Sequence, residues 1–93
     1  MARVAKNLKV TGRVQGVGFR YFTRKQAISL DITGWVRNMP DGSVEVYICG
    51  EEDNIETMEQ RLWNGPRGAY VIEIIELETS NDGVQYTDFS VIR

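Results

Sequence analysis

Histidine is absent from this sequence, and cysteine occurs once, at Cys49. The lack of histidine excludes a histidine-based catalytic triad, a phosphohistidine intermediate and a metal site with histidine ligands. A lone cysteine excludes an intramolecular disulfide, a four-cysteine zinc site and an iron–sulfur cluster. Because Cys49 falls within a predicted strand and no anion-binding loop follows it, we interpret it as a structural thiol.

Long apolar runs are also missing, since the longest is far shorter than the roughly 20 residues that a membrane helix needs. The basic segment 1–10 lacks the apolar stretch of a signal peptide. Together with the single cysteine, this favours a cytoplasmic protein without a membrane partner. A length of 93 residues, 42% of them hydrophobic, predicts a single domain over 1–93 with a small core, and a monomer is the default at this size.

Acidic residues are missing from the first 30 positions, and all 13 of them lie from Asp31 onward. The net charge of −2 argues against a nucleic-acid partner. Two interpretations of the basic segment stay open. In the first, which we favour on charge alone, the positive charge of residues 1–30 is balanced elsewhere in the fold. In the second, it provides a local field that attracts a small anion.

Hydrophobic periodicity predicts an alternation of strands and helices. The predicted order is strand 6–14, helix 19–30, strands 31–38 and 43–50 joined as a hairpin, helix 51–64, strand 69–79, a turn at 80–83 and a last strand within 86–93. This order is a β-α-β-β-α-β unit plus a short terminal strand. It predicts an α+β, ferredoxin-like α/β sandwich in which two helices cover one face of an antiparallel sheet.

Several positions carry more specific expectations. In the second helix the buried stripe is predicted to be Ile55, Met58, Leu62 and Trp63, and Trp35 is expected to pack in the core. The acidic run 51–53 suits the dipole at the start of that helix better than a cation site. The two-residue period of strand 69–79 slips at 74–75, where either a bulge or a stretch covered on both faces would explain it.

RNA-binding modules share this topology, but they stack bases on aromatic residues of the central strands. Here the central strand 43–50 offers only Tyr47. A small-ligand regulatory module remains possible, because the fold does not specify function.

A glycine-rich segment, GRVQGVGFR at 12–20, joins the first strand to the first helix. Its spacing matches neither the dinucleotide-binding fingerprint nor a Walker A loop. Gly16 and Gly18 can adopt positive φ, so the amides from Gln15 onward can curl around an anion at the helix start near Phe19. Arg20 adds a planar fork that fits a phosphate. The residues alone leave two alternatives, an anion site or a plain turn with a surface arginine.

This segment, followed by GWVRN at 34–38 and DGSVEV at 41–46, resembles the acylphosphatase family of the small bacterial or archaeal type. The resemblance extends through the YTDFSVIR ending at 86–93. Many family members carry a bulkier residue where Gly18 stands, so the glycine is expected to loosen the loop.

The resemblance implies a cofactor-free and metal-free hydrolase that cleaves acyl phosphates to carboxylate and inorganic phosphate. The phosphate would be held by the amides of Gln15, Gly16, Val17, Gly18 and Phe19 and by Arg20, where inorganic phosphate or sulfate could also bind. Arg20 and Asn38 would be the catalytic residues, with Asn38 orienting the attacking water. Without the resemblance, Asn38 would be interpreted as a residue that caps the hairpin turn. The alternative function for the whole chain is a non-catalytic anion-binding module.

Overall fold

The elements of the computed structural model follow the predicted order. The structure describes residues 2–79 and 86–92, so the turn predicted at 80–83 and Arg93 lie outside the described residues. The elements are β1 (Arg3–Arg13), α1 (Phe19–Ser29), β2 (Thr33–Asn38), β3 (Val44–Glu51), α2 (Glu52–Asn64), β4 (Tyr70–Leu77) and β5 (Phe89–Ile92).

The sheet has the strand order β4-β1-β3-β2-β5. The pairs β1–β3, β1–β4 and β2–β3 are antiparallel, whereas β5 pairs in parallel with β2. The predicted ferredoxin-like α+β sandwich is therefore confirmed, but the sheet is mixed rather than wholly antiparallel. β5 lies at the edge opposite β4, beside β2, and the two strands run in the same direction. The alternation of side chains along a strand does not indicate which strand is its neighbour, so the sequence could not predict this pairing.

The two helices cover one face of the sheet, with α1 over β2 and β5 and α2 over β3 and β4. The inward side chains of the strands alternate as predicted, and the side chains of α1 that face the core repeat every four residues at Phe19, Thr23 and Ala27. The buried Thr23 hydroxyl is satisfied because it donates to the Phe19 carbonyl at 2.8 Å. The core consists of Leu8, Val10, Val14, Phe19, Ala27, Ile32, Val36, Val44, Val46, Ile48, Ile55, Met58, Leu62 and Phe89.

Trp63 is not part of the buried stripe of α2, and that prediction is wrong. Its side chain is 49% exposed, whereas Ile55, Met58 and Leu62 are buried. Successive residues are rotated by about 100° around a helix, so the position after Leu62 falls at the margin of the apolar face. Trp63 instead lines an open groove beside β4.

The register between β1 and β4 shifts at a bulge near Ile72, and not at positions 74–75. Thr11 pairs with Glu73 and Gly12 pairs with Val71, so Ile72 has no partner residue on β1. Ile74 then packs toward the core. At 74–75 the pairing with β1 is regular and Ile75 is 38% exposed, so neither a bulge nor a stretch covered on both faces lies at the position where the sequence period slips.

The second face of the sheet carries an aromatic cluster. Trp35 stacks on Tyr47 with ring centroids 5.9 Å apart, and Tyr86 contacts Tyr47 at 5.3 Å. Trp35 therefore lies on the face opposite the helices, which corrects the expectation that it packs in the core. Beside it, Arg37 forms an ion pair with the buried Glu45 at 2.6 Å. Within the described residues, neither helix combines the length and the apolar character needed to cross a membrane.

Candidate active site

The glycine-rich loop connects the end of β1 to the start of α1 through two glycines with positive φ. Gly16 and Gly18 both have φ of 76°, as predicted, and Gly18 is the N-cap residue of α1. A Cβ atom at either position would meet no heavy atom within 4 Å, so the backbone angle and not crowding requires glycine there. The first-turn N–H groups of α1, which lack partners within the helix, begin directly after Gly18.

A depression of about 180 Å³ lies where the loop meets the end of β2. It brings Arg20 and Asn38 together, although they come from different elements. Among the residues that the structure describes, none that lines it is a carboxylate, and the first turn of α1 contains no acidic residue. The positive end of the helix dipole and the guanidinium therefore act on an anion in the depression without opposition from the lining. The lining residues are Val14, Gly16, Gly18, Phe19, Arg20, Tyr21 and Asn38.

The predicted site residues divide into two groups. Gly16, Gly18, Phe19, Arg20 and Asn38 line the depression. Gln15 and Val17 do not line it: Val17 packs against the core, and the side chain of Gln15 reaches the turn between β2 and β3.

The contact of Gln15 with that turn is a feature of the site that sequence reasoning misses. Its Nε2 donates to the carbonyl of Met39 at 2.8 Å and to the carbonyl of Ser43 at 2.9 Å. No sequence pattern indicates this contact, because it requires that the loop and the hairpin turn lie side by side in the fold. The turn begins directly after Asn38, so Gln15 connects the two halves of the depression.

The turn is also bound to the opposite face of the sheet. Lys9 Nζ lies 2.8 Å from Asp41 Oδ2, and Asp41 Oδ1 accepts hydrogen bonds from the N–H and the hydroxyl of Ser43. The Lys9 ammonium and the two Ser43 donors hold the pKa of Asp41 well below its ordinary value, because they stabilise the carboxylate form. Asp41 is thus an anionic anchor for the turn.

Among the described residues, two of the seven Lys and Arg side chains in the first 30 positions form ion pairs with carboxylates. Lys6 lies 3.3 Å from Glu59, and Lys9 is paired with Asp41. Among the described residues none forms an ion pair or hydrogen bond with the guanidinium of Arg20, which is half-buried at the depression. The balanced interpretation therefore holds for the two β1 lysines, whereas Arg20 faces the depression without a described carboxylate partner.

Tyr21 is a second lining residue that sequence reasoning does not single out. It follows Arg20 on the first turn of α1, and its side chain is 68% exposed at the rim of the depression. Only its position next to Arg20 could have drawn attention to it.

A larger groove of about 410 Å³ lies between α2 and β4. Its charged lining residues are Glu56, Glu59 and Glu76, with Trp63 beside them. Three carboxylates repel an anion, so the smaller depression is the site that suits one.

The comparisons with known proteins cover nearly the whole chain. The acylphosphatase family model matches residues 6–91, which include both the glycine-rich loop and Asn38. The curated acylphosphatase of Pseudomonas aeruginosa is 51% identical over 78 residues, covering 84% of this chain and 85% of that protein. That of Pasteurella multocida is 48% identical over 86 residues, covering 92% and 94%. The crystal structure of acylphosphatase from Bacillus subtilis superposes with a TM-score of 0.88 at 33% identity, covering 99% of this chain and 100% of that one.

Proposed function

This chain belongs to the acylphosphatase family, and on that premise we propose that it hydrolyses acyl phosphates to a carboxylate and inorganic phosphate. The observation that carries the proposal is the shared depression: Arg20 and Asn38 line it together with the start of α1, and none of the described residues that line it is a carboxylate. An arginine, a carboxamide and free helix N–H groups are donors that bind a phosphoryl group and a water molecule.

The glycine-rich loop and Arg20 form the phosphate site in this proposal. The main-chain N–H groups of residues 15–19 and the guanidinium of Arg20 donate to the phosphoryl oxygens. In phosphoryl transfer the transition state carries its negative charge on these oxygens, so donors that are already in place stabilise it. The positive φ of Gly16 and Gly18 and the N-terminus of α1 support this assignment.

The leaving group explains why these few residues suffice. An acyl phosphate is a mixed anhydride, and the group that departs is a carboxylate whose conjugate acid has a pKa near 4. Such a group leaves without being protonated, so no general acid is required. The polar side chains of the described lining are an arginine, a tyrosine and an asparagine, so it holds no carboxyl group that could protonate the leaving group.

Asn38 orients the attacking water in this mechanism. Its carboxamide oxygen accepts a hydrogen bond from the water, which then attacks phosphorus as the bond to the carboxylate oxygen breaks. A carboxamide is not a base at neutral pH, so the water proton passes to a phosphoryl oxygen of the substrate. The reaction therefore proceeds without a metal ion or a cofactor.

The remaining features of the proposal concern the protein in the cell. Residues 1–93 form one domain that acts as a monomer in the cytoplasm on a small-molecule acyl phosphate, with no nucleic-acid or membrane partner. Inorganic phosphate, the product, binds in the same loop, as does sulfate. The single cysteine, the small size and the net charge of −2 support these assignments.

The test is hydrolysis of benzoyl phosphate in excess EDTA by the native chain and by Arg20→Ala and Asn38→Ala. Each of these two variants is expected to lose at least about 100-fold in kcat, the usual effect of removing one donor to a developing negative charge. Arg24→Ala is the matched control, because Arg24 lies on the same helix but outside the lining and is expected to retain activity. A native chain that binds phosphate through Arg20 but hydrolyses nothing would make this a non-catalytic anion-binding module.

The proton route is tested separately by the dependence of kcat on pH. A single change that follows ionisation of the substrate phosphate is expected for substrate assistance. A base of the enzyme that titrates near neutrality would contradict it.

A further inference from the structure

The glycine-rich loop and the turn after Asn38 are joined by the side-chain amide of Gln15. Its Nε2 donates two hydrogen bonds, to the carbonyl oxygens of Met39 at 2.8 Å and Ser43 at 2.9 Å. Both partners can only accept, so the nitrogen of the amide and not its oxygen must face them. The two bonds use both hydrogens of the amide, and they join segments that are 24 and 28 residues apart in the chain.

The turn is already closed without Gln15. The N–H of Met39 donates to the Ser43 carbonyl at 2.8 Å, and the N–H of Gly42 donates to the Met39 carbonyl at 3.1 Å. Asp41 accepts from Ser43 and is held by Lys9. The bonds from Gln15 therefore contribute little to the shape of the turn, and they add a direct link between the turn and the loop.

Asn38 lies next to that link, and its main chain is paired with Val44 on β3. It is the last residue of β2 and precedes Met39, which accepts one of the two bonds, so a shift of the turn moves Asn38 with it. Arg20 follows the loop on the other side, at the second position of α1. The Gln15 amide is thus a direct side-chain connection between the segment that carries Asn38 and the loop that leads to Arg20.

Resting on the proposed function, we propose that Gln15 is a positioning residue. It holds the carboxamide of Asn38 at the distance from Arg20 and the loop that places the water in line with the phosphorus. Its side chain does not line the depression, so it acts through Asn38 and not on the substrate. Displacing a reacting group by about 1 Å costs about 100-fold in rate, so two hydrogen bonds at this place have a large effect on turnover.

The variant that isolates this role is Gln15→Met. Methionine has a similar length and no branch, but it cannot donate a hydrogen bond. The carbonyls of Met39 and Ser43 keep their main-chain donors, so no buried acceptor loses its last partner and the variant is expected to fold. Gln26→Met is the matched control, because Gln26 also uses its side-chain amide, accepting from Arg61 at 2.9 Å, but lies outside the depression.

Two measurements separate positioning from a general structural effect. For Gln15→Met we expect kcat for benzoyl phosphate to fall by about 10- to 100-fold, while the inhibition constant of inorganic phosphate stays nearly that of the native chain. Phosphate is held by the loop and Arg20, which this substitution leaves in place. Gln26→Met is expected to change neither quantity.

A double-mutant cycle shows whether Gln15 acts through Asn38. In the Asn38→Ala background the further change Gln15→Met is expected to cost little, because the group that it positions is already gone. Losses that multiply across the two sites, or a phosphate inhibition constant that weakens as much as kcat falls, would overturn the proposal. So would a Gln15→Met variant with native kcat.

The same set of variants tests the proposed function independently. If the native chain hydrolyses benzoyl phosphate and Asn38→Ala does not, the proposed function stands whatever Gln15→Met does. If the native chain is inactive, the proposed function fails, and the inference that rests on it fails with it.

Discussion

Gly18 offers a test of the loop geometry that needs no substrate. Its backbone lies in the left-handed region, with φ of 76° and ψ of 21°, and the space where a Cβ atom would lie is open. Gly18→Ala therefore meets no clash, and its cost is the conformational strain of a left-handed non-glycine residue, about 1–2 kcal/mol. Alanine also restricts the unfolded chain, which returns about 0.4–1 kcal/mol. The net loss is about 1 kcal/mol of unfolding free energy, or a Tm lower by about 4–8 °C for a domain of this size.

Gly18→Asn is the matched variant for this measurement. Asparagine also adds a Cβ atom, but it adopts the left-handed region more readily, so we expect it to be more stable than Gly18→Ala. Thermal and urea unfolding of the three proteins would show the order native, Asn, Ala. If Gly18→Ala unfolds at the native temperature or above, the left-handed backbone at the start of α1 is not the conformation in solution, and the argument for a preformed anion cradle loses its basis.

Three further predictions concern Asp41 in the hairpin turn, the buried face of α2, and Tyr21 at the rim of the depression. Lowering the pH from about 5 toward 2 is expected to destabilise the native chain more than the Asp41→Asn variant. A carboxyl whose pKa is lowered in the folded state contributes stability above its unfolded pKa, and that stability is lost as the carboxyl becomes protonated. If urea unfolding shows that both proteins lose the same unfolding free energy over this pH range, the prediction is contradicted. Met58→Ala is expected to cost about 2–5 kcal/mol and Trp63→Ala clearly less, and equal losses would place Trp63 in the core after all. Tyr21→Ala is expected to lower kcat/KM for benzoyl phosphate by about 2- to 10-fold while sparing acetyl phosphate, because only the aromatic acyl group can stack on the exposed ring.

Most of the fold could be predicted from the sequence because it follows from local periodicity. The alternation of Val44, Val46 and Ile48 and the helical spacing of Ile55 and Met58 identify the faces that the structure buries. The features that escaped prediction depend on neighbours that are distant in the chain. The bulge at Ile72 arises from its pairing with β1, and the parallel pairing of β5 from its place at the sheet edge.

In the candidate site too, the features that could be predicted are local in the sequence, and those that could not depend on distant contacts. The positive φ of Gly16 and Gly18 could be predicted because glycine spacing in a strand-to-helix turn is a local signal. The placement of Asn38 beside Arg20 came from the family resemblance, and the roles of both residues remain proposals. The side chain of Gln15 could not be placed at all, since its partners are two carbonyl oxygens, which every residue has.

Within residues 2–79 and 86–92 no carboxylate lines the depression, and this also bears on how an anion arrives there. A guanidinium that no described acid neutralises attracts an anion before contact, over roughly the Debye length, which is about 10 Å at 0.1 M salt. Attraction of this kind raises the rate of encounter, and added salt weakens it. Once the anion lies against the main-chain donors, the interaction is at short range and far less exposed to screening. Ionic strength therefore governs how often a substrate is captured, and it has little influence on how fast a captured substrate reacts.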